Sequence, residues 1–379
     1  MDQVNLPERV APRPSGANQR QAADHNARLV LSSLHRHGPT PAAELARRTG
    51  LTAQAVSGIV RRLEDAGLVE RGEPLRGQVG KPRVPVAVRG AGAWAIGVRV
   101  GRAGVEALAM DLAGRVHARR EAAWEAPLPG PLDAFLRRAV PELQAEAERS
   151  GLEPGRLCGS GVAMPWQVWA WRDGRAAGAW PAGADPQALW AGYDLAARLR
   201  ALAGAPAMLC NDATSAARAE LAWGPPRPQR DWFHVHVGTF VGGGVVLDGR
   251  VRDGRQGNAG AFGSLSSGGG VLIDRASLFR LHADPARDAE DRWLDRAGPA
   301  LAQAALDVCA VIDFEAVVID GAFEPALRDR LVDRVRSEMP GLDARGLLRP
   351  VIEPGTLGAP ARALGAATAA LERAHLLVG

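Results

Sequence analysis

Residues 236–251 read HVGTFVGGGVVLDGRV, and the glycines in this stretch decide how the chain folds. Gly238, Gly242, Gly243 and Gly244 fall within seven positions, between two runs of β-branched residues. Such runs on either side of a glycine turn predict a β-hairpin, WFHVHVG followed by GGGVVLDGRV. A turn this rich in glycine lets backbone N–H groups approach a phosphate. Two readings are open at this point: a site that consumes a nucleotide, or a turn retained as architecture.

The flanking sequence alternates strands and helices. AWAIGVRVGRAGVEALAMDLAGRVHARREAAW predicts three strands joined by turns at 101–104 and 111–114. A helical stretch over 131–151 and a buried strand, LCGSGVAMP, come next. DPQALWAGYDLAARLRALAG reads as one helix, and APAMLCNDATSAARAELAWG as a short strand entering a helix through Asn211 and Asp212. Later come a strand and glycine turn, FEAVVIDGAF, then the helix EPALRDRLVDRVRSEMP and the small-residue helix LGAPARALGAATAALERAHL. This mixture predicts an α/β body of about 290 residues in two lobes.

Residues 23–90 differ. HNARLVLSSLHRHG places Leu29, Val30, Leu31 and Leu34 on a helical stripe that stops at Gly38. In TPAAELARRTG, Thr40 is read as a cap, Pro41 as the first helical residue and Glu44 as the capping-box partner. Gly50 ends this helix, and Thr52 caps a third, TAQAVSGIVRRLEDAG, whose Val56, Ile59, Val60 and Leu63 turn inward. Two short helices joined by a glycine turn form a helix-turn-helix. Extended runs at 68–71 and 84–88 around a basic tip complete a winged helix. Thr52, Ala53, Gln54, Ser57, Arg61 and Arg62 are spare to the core and would meet double-stranded DNA. Gln54 suits adenine, and arginine suits guanine or phosphate. Lys81 and Arg83 in the wing would reach the minor groove or backbone. The plain alternative is a three-helix dimerisation module.

Charge agrees with the DNA reading. Residues 1–90 carry 14 Lys+Arg against 8 Asp+Glu, whereas the whole chain is only +4. A basic head on a slightly acidic body suits a protein whose head alone meets a polyanion. Arginine-rich coding is a competing cause, since Lys81 is the sole lysine. Residues 1–22 are read as a disordered tail. No signal peptide, membrane span or membrane partner is expected. The widely spaced Cys158, Cys210 and Cys309 suit a reducing, cytoplasmic setting.

Taken in order, the meander, a GxGVAxP strand, an NDAxxAA turn, a GTxxGGGxxLDG hairpin, a GxxGNAGAFG segment and a late VVIDG turn resemble the ROK family. That family joins sugar-responsive repressors to sugar kinases on a two-lobed actin-like fold, of the ribonuclease H-like or hexokinase type. The resemblance implies a winged helix over 23–90, lobe 1 over 91–205 completed by a C-terminal helix at 358–379, and lobe 2 over 206–357. It also implies a homodimer or higher oligomer, and it gives Asp212 the position of the catalytic base with Asn211 beside it as a sugar contact. An Asx turn and helix cap is the structural alternative for that pair.

Several positions depart from the kinase pattern. Where the family's first phosphate loop reads D-x-G-G-T, this chain has RVGRA: Arg99 stands for the aspartate, Arg102 for a glycine and Ala103 for the threonine. A guanidinium cannot anchor Mg²⁺, and its long side chain blocks backbone approach to a phosphate. Arg99 and Arg102 would either receive an anion or make ion pairs. Ala261 and Ser264 replace the Glu and His of AGEIGH, and no zinc-binding cysteines follow. Gly238, Thr239, Gly242 and Gly243 are therefore expected to be a phosphate-loop relic, kept for the backbone freedom of its glycines. No catalysis, no metal and no cofactor are expected.

Trp166, Trp169 and Trp171 stand where sugar-binding relatives turn into the cleft. They would stack on a ligand, or form a local hydrophobic staple or a subunit contact. The expectation is a DNA-binding regulator, a repressor controlled by a sugar or related small molecule held by Asn211, Asp212, Trp166 and Trp169. Its rivals are an active sugar kinase with a DNA-binding head and a ligand-independent dimeric regulator.

Overall fold

The computed structural model describes residues 19–74, 83–169 and 185–377. The head is built from helix α1 (Gln19–His37), strand β1 (Thr40–Pro41), helices α2 (Ala42–Thr49) and α3 (Ala53–Asp65), and strands β2 (Val69–Arg71) and β3 (Pro85–Val88). The three strands form one antiparallel sheet with β3 central. Gly38 and Gly50 adopt φ of 71° and 70°, the left-handed conformation that terminates α1 and α2. Thr52 caps α3 by accepting from the Ala55 amide at 3.2 Å. Val56, Ile59, Val60 and Leu63 are buried against α1 residues Val30, Leu31 and Leu34.

Two expectations for the head change. α1 starts at Gln19, inside the tail assigned to 1–22, because Gln19–Ala23 holds good helix formers and no breaker. Thr40 makes no cap: it pairs with Val86 in the sheet, and its hydroxyl donates to the Gly38 carbonyl. Glu44 instead bonds Arg48 at 2.9 Å.

The body contains the same strand order twice. The first sheet comprises β4 (Trp94–Val100), β5 (Gly104–Asp111), β6 (Val116–Ala123), β7 (Leu157–Met164) and β8 (Ala207–Asn211), in the order β6-β5-β4-β7-β8. Helix α4 (Pro129–Arg149) precedes β7, helices α5 (Pro186–Ala191) and α6 (Leu195–Ala203) precede β8, and helix α7 (Asp212–Trp223) follows it. The second lobe begins with β9 (Trp232–Val237), β10 (Val241–Leu247) and β11 (Arg250–Arg252), then a small hairpin, β12 (Ser266–Ser267) and β13 (Gly270–Val271). Short helices α8 (Ile273–Ala276) and α9 (Leu278–His282) lead to α10 (Ala289–Val311), β14 (Ala316–Gly321), α11 (Pro325–Glu338), β15 (Val351–Pro354) and α12 (Ala361–Ala374). The second sheet runs β11-β10-β9-β14-β15. Each lobe is thus an antiparallel meander continued by two parallel strands.

The helices that end the two repeats are crossed. α7 packs on the second sheet, and α12 on the first, and the two helices meet along their length. That meeting explains the small residues of α12. A Cβ on Gly161 of β7 would lie 1.9 Å from the Ala366 carbonyl, and one on Gly365 would lie 1.7 Å from the Ser215 carbonyl. Only hydrogen fits at either place.

Two sequence expectations for the body are corrected, and two elements were not anticipated. Strand β8 hydrogen-bonds in the first sheet, so a lobe boundary at 206 would cut a strand from its partner; the chain crosses after Asn211. The single helix over 185–204 is two, because Asp194 caps α6 by accepting from Ala197 at 2.8 Å. α10 and β15 had no clear signal: Gly298 and Pro299 interrupt the α10 pattern, and β15 is four residues ending in proline. Among the described residues, no helix is long and apolar enough to cross a membrane.

Candidate functional site

The outward face of α3 is open. Thr52, Ala53, Gln54, Ser57, Arg61 and Arg62 are exposed, as is Arg83 at the start of the wing's return strand. Lys81 lies outside the described residues. The helix therefore turns its apolar stripe inward and offers a polar, basic side to solvent, the arrangement that a major-groove reader requires.

A cleft of about 570 Å³ lies between the lobes. The two meander turns, β4–β5 and β9–β10, face it with the N-terminal ends of α7 and α12. Asn211, Asp212, Trp166, Thr239, Gly242 and Gly243 all line it, so the structure gathers most of the expected ligand residues. Ala261 and Ser264 line it too, which leaves no carboxylate or imidazole at those two positions. Trp169 packs on the hydrophobic core of lobe 1 and does not line the cleft. Trp171 lies outside the described residues.

Asn211 and Asp212 are engaged. The Asn211 side-chain oxygen caps α7, accepting from the Ala213 and Thr214 amides at 3.0 and 3.1 Å. One Asp212 oxygen accepts from the Ala213 amide at 2.9 Å; the other lies 3.5 Å from Nη1 of Arg362. Arg362, the second residue of α12, was not singled out in the sequence, where it sits in a run of alanine, glycine and leucine. Its guanidinium lies over the glycine turn, 3.6 Å from where a Gly238 Cβ would be.

The first turn is equally altered. Arg99 pairs with Glu106 at 3.3 Å on the neighbouring strand, and Glu106 is buried. Arg102 is only 5% exposed, and its guanidinium stacks on Phe240 of the opposite turn at 5.2 Å. Burial pulls its pKa down to about 10. The glycines of the second turn are explained differently from the sequence expectation: none of Gly238, Gly242, Gly243 or Gly244 has a positive φ. They are needed for contact. A Cβ on Gly243 would meet the Phe233 ring at 2.3 Å, and one on Gly244 would meet Ala217 at 2.4 Å.

His236 was also missed. The alternation WFHVHV puts His234 and His236 on one face of β9, and both are buried with no partner on either ring nitrogen. Burial lowers both pKa values, so both rings are neutral. His236 lines the cleft. Among the described residues, no group of three or more His, Cys, Asp or Glu side chains is placed to hold a metal ion.

The helix that carries Arg362 into the cleft ends at the head. Arg28 of α1 donates to the carbonyls of Glu372 and Leu376, the latter at 2.8 Å, and the Leu377 amide donates to Ser32 at 2.6 Å. His35 stands edge-on to Trp223, 4.4 Å between ring centroids, and Trp223 in turn donates to Thr368 of α12. One apolar cluster joins Val30, Leu31 and Leu34 to Ala363, Ala367 and Leu371. A 14-residue helix of roughly 21 Å thus spans from cleft to winged helix.

Fold and site together define a winged helix joined to a two-lobed, actin-like α/β body. Residues 95–268 match the ROK family, and residues 25–77 match the MarR family. The chain carries a MarR-type winged-helix domain followed by a ROK family domain. It is 28% identical to the uncharacterised protein y4fQ of Sinorhizobium fredii, over 90% of this chain and 89% of that one. It is 29% identical to an N-acetylmannosamine kinase of Salmonella typhimurium, over 38% of this chain and 58% of the enzyme. In fold, it is similar to a ROK family transcriptional regulator, a homologue of the E. coli MLC protein, with a TM-score of 0.65 and 18% identity over 92% of this chain and 96% of the other.

Proposed function

We propose that this chain is a transcriptional repressor. Its winged helix reads double-stranded operator DNA, and its body binds a sugar or sugar derivative without phosphorylating it. The observation that carries the reading is Arg362. It holds Asp212 in the cleft, and the far end of the same helix holds α1 of the head. A ligand that draws Arg362 from Asp212 shifts α12, and α12 shifts the head. The chain acts as a dimer, because paired winged helices read the two half-sites of a palindrome. Arg99, standing where the family anchors metal, supports a body without phosphoryl transfer.

An active kinase with a DNA-binding head is the second reading, favoured by Asp212 on the cleft wall. One pair of assays separates them. Genome-wide selection of bound DNA yields the operator, and a sugar that releases it supports control by ligand. ATP-dependent phosphorylation of N-acetylmannosamine or glucose above an Asp212→Ala control would instead establish the kinase.

A further inference from the structure

We infer that Arg156 is the positioning residue through which the body holds the DNA-reading helix at its working angle, and that strand β7 ties this hold to the cleft. This rests on the reading above that α3 reads the operator, and it names the group that aims the helix.

Helix ends supply the first observation. The last carbonyls of a helix have no partner within it and must find one outside. At the end of α3, the amides of Ala66, Gly67 and Leu68 donate to the carbonyls of Arg62, Glu64 and Leu63. The Ala66 carbonyl is taken by the body: Nη1 of Arg156 donates to it at 2.6 Å and lies 3.5 Å from the Gly92 carbonyl. A guanidinium there also meets the negative end of the helix dipole. Close packing fixes the place. Gly67 turns the chain at φ 69°, and a Cβ on it would lie 3.0 Å from Nη2 of Arg156. A Cβ on Gly92 would run into the Gly67 carbonyl. The main neighbours of α3 are α1, α2 and β2, all of the head, so Arg156 is a direct hold of the body on this helix. The hold is reciprocal, since Arg28 of the head donates to the carbonyls that end α12.

The second observation is where Arg156 stands. It ends a single turn of 3₁₀ helix, Pro154–Arg156, that runs directly into β7. β7 pairs with β4 on one side and β8 on the other, and α12 is seated on its Gly161. A strand packed this closely on every side shifts with its neighbours rather than bending alone. Its 8 residues span roughly 26 Å. At the far end the chain enters the cleft wall through Pro165, Trp166 and Gln167. Gln167 takes φ 49°, a left-handed conformation uncommon for a residue with a Cβ. Strain of this kind gathers at ligand sites and switch segments. One end of β7 thus meets the cleft, and the other grips the reading helix. Base contacts need that helix at a set angle in the major groove, whereas phosphate contacts carry no sequence information. Loss of the grip costs sequence-specific binding and spares the rest.

The test is fluorescence anisotropy of the full chain at several salt concentrations, with two duplexes of equal length: the operator recovered by selection of bound DNA, and a scrambled version of it. Arg156→Ala should weaken operator binding about fivefold or more. Affinity for the scrambled duplex, and the salt slope on the operator, should stay those of the unmodified chain, which also shows that the variant is folded. Arg156→Lys, which still carries a donor to the Ala66 carbonyl, should recover most of the loss. Unchanged operator affinity in Arg156→Ala overturns the inference. So does an equal loss on both duplexes with the salt slope lowered by about one, which would make Arg156 a phosphate contact. Arg61→Ala with Arg62→Ala, measured alongside, keeps the two readings apart. If that pair loses operator affinity and Arg156→Ala does not, α3 stands as the reader and the hold by Arg156 falls; if neither loses it, both fall.

Discussion

Arginine is used in opposite ways in two regions of this molecule. On α3, Arg61 and Arg62 are exposed, make no ion pair among the described residues, and stand on a face turned away from the core. In the cleft, Arg99 and Arg362 are held against carboxylates, and Arg102 is stacked on an aromatic ring. Open cations cost the fold nothing and await a polyanion. Enclosed cations are part of the fold, and they line the cleft between the lobes. A similar contrast divides the two meander turns. They occupy the same place in the duplicated topology, yet one keeps its glycines for packing while the other carries arginine.

The comparison predicts different losses on the two faces. The largest is expected on α3. Arg61→Ala with Arg62→Ala should weaken operator binding about tenfold or more per arginine, lower the salt slope by roughly one per lost phosphate contact, and leave thermal stability unchanged. Fluorescence anisotropy at several salt concentrations measures this. Unchanged affinity would remove α3 as the reader and, with it, the distinction between open and enclosed cations.

The seat of α12 comes next. Gly365→Ala places a methyl group against the Ser215 carbonyl, where 1.7 Å is available. Overpacking of this kind costs about 1–3 kcal/mol. Denaturant unfolding should show that loss, and a neutral result would mean that α7 and α12 separate easily and cannot transmit a displacement.

How much of this was legible depended on distance along the chain. The head could be read almost whole because its signals are local: Gly38, Gly50 and Thr52 mark helix ends within a few residues of the stripes they bound. The order of strand motifs likewise indicated the body, and the unusual residues at 99, 102, 261 and 264 were visible as departures from a pattern. Arg362 was not, because its partner Asp212 lies 150 positions earlier and nothing in ARALGAA announces that its arginine turns into a cleft. The one available sign was a lone charge in a run otherwise of Ala, Gly, Leu and Thr. His236 had a better sign in the alternation of WFHVHV, which puts two histidines on one buried face. Trp169 was misassigned because a tryptophan run gives no indication of which ring packs inward.

A smaller effect is expected from His35, at the contact between head and body. Burial lowers its pKa to about 4 from the usual 6.5. The unfolded chain therefore binds more protons between those values, so stability rises with pH across that window and is lost as pH falls from about 6.5 towards 4. His35→Phe keeps the edge contact to Trp223 and removes the titration. It should reduce the acid destabilisation between pH 7 and pH 5 by roughly 1–2 kcal/mol. An unaltered pH profile of the melting temperature would place His35 in water and the head–body contact in doubt.

The central claim is that one helix joins the cleft to the DNA-binding head, and Arg362→Gln tests it most directly. The substitution cuts the tie to Asp212 at one end of α12 while every residue of the head stays in place. Operator affinity of the variant, measured by anisotropy with no ligand present and with folding checked by circular dichroism, is predicted to fall by about fivefold or more, the usual scale of coupling between distant sites. An affinity equal to that of the unmodified chain, in a variant that folds normally, would contradict the claim.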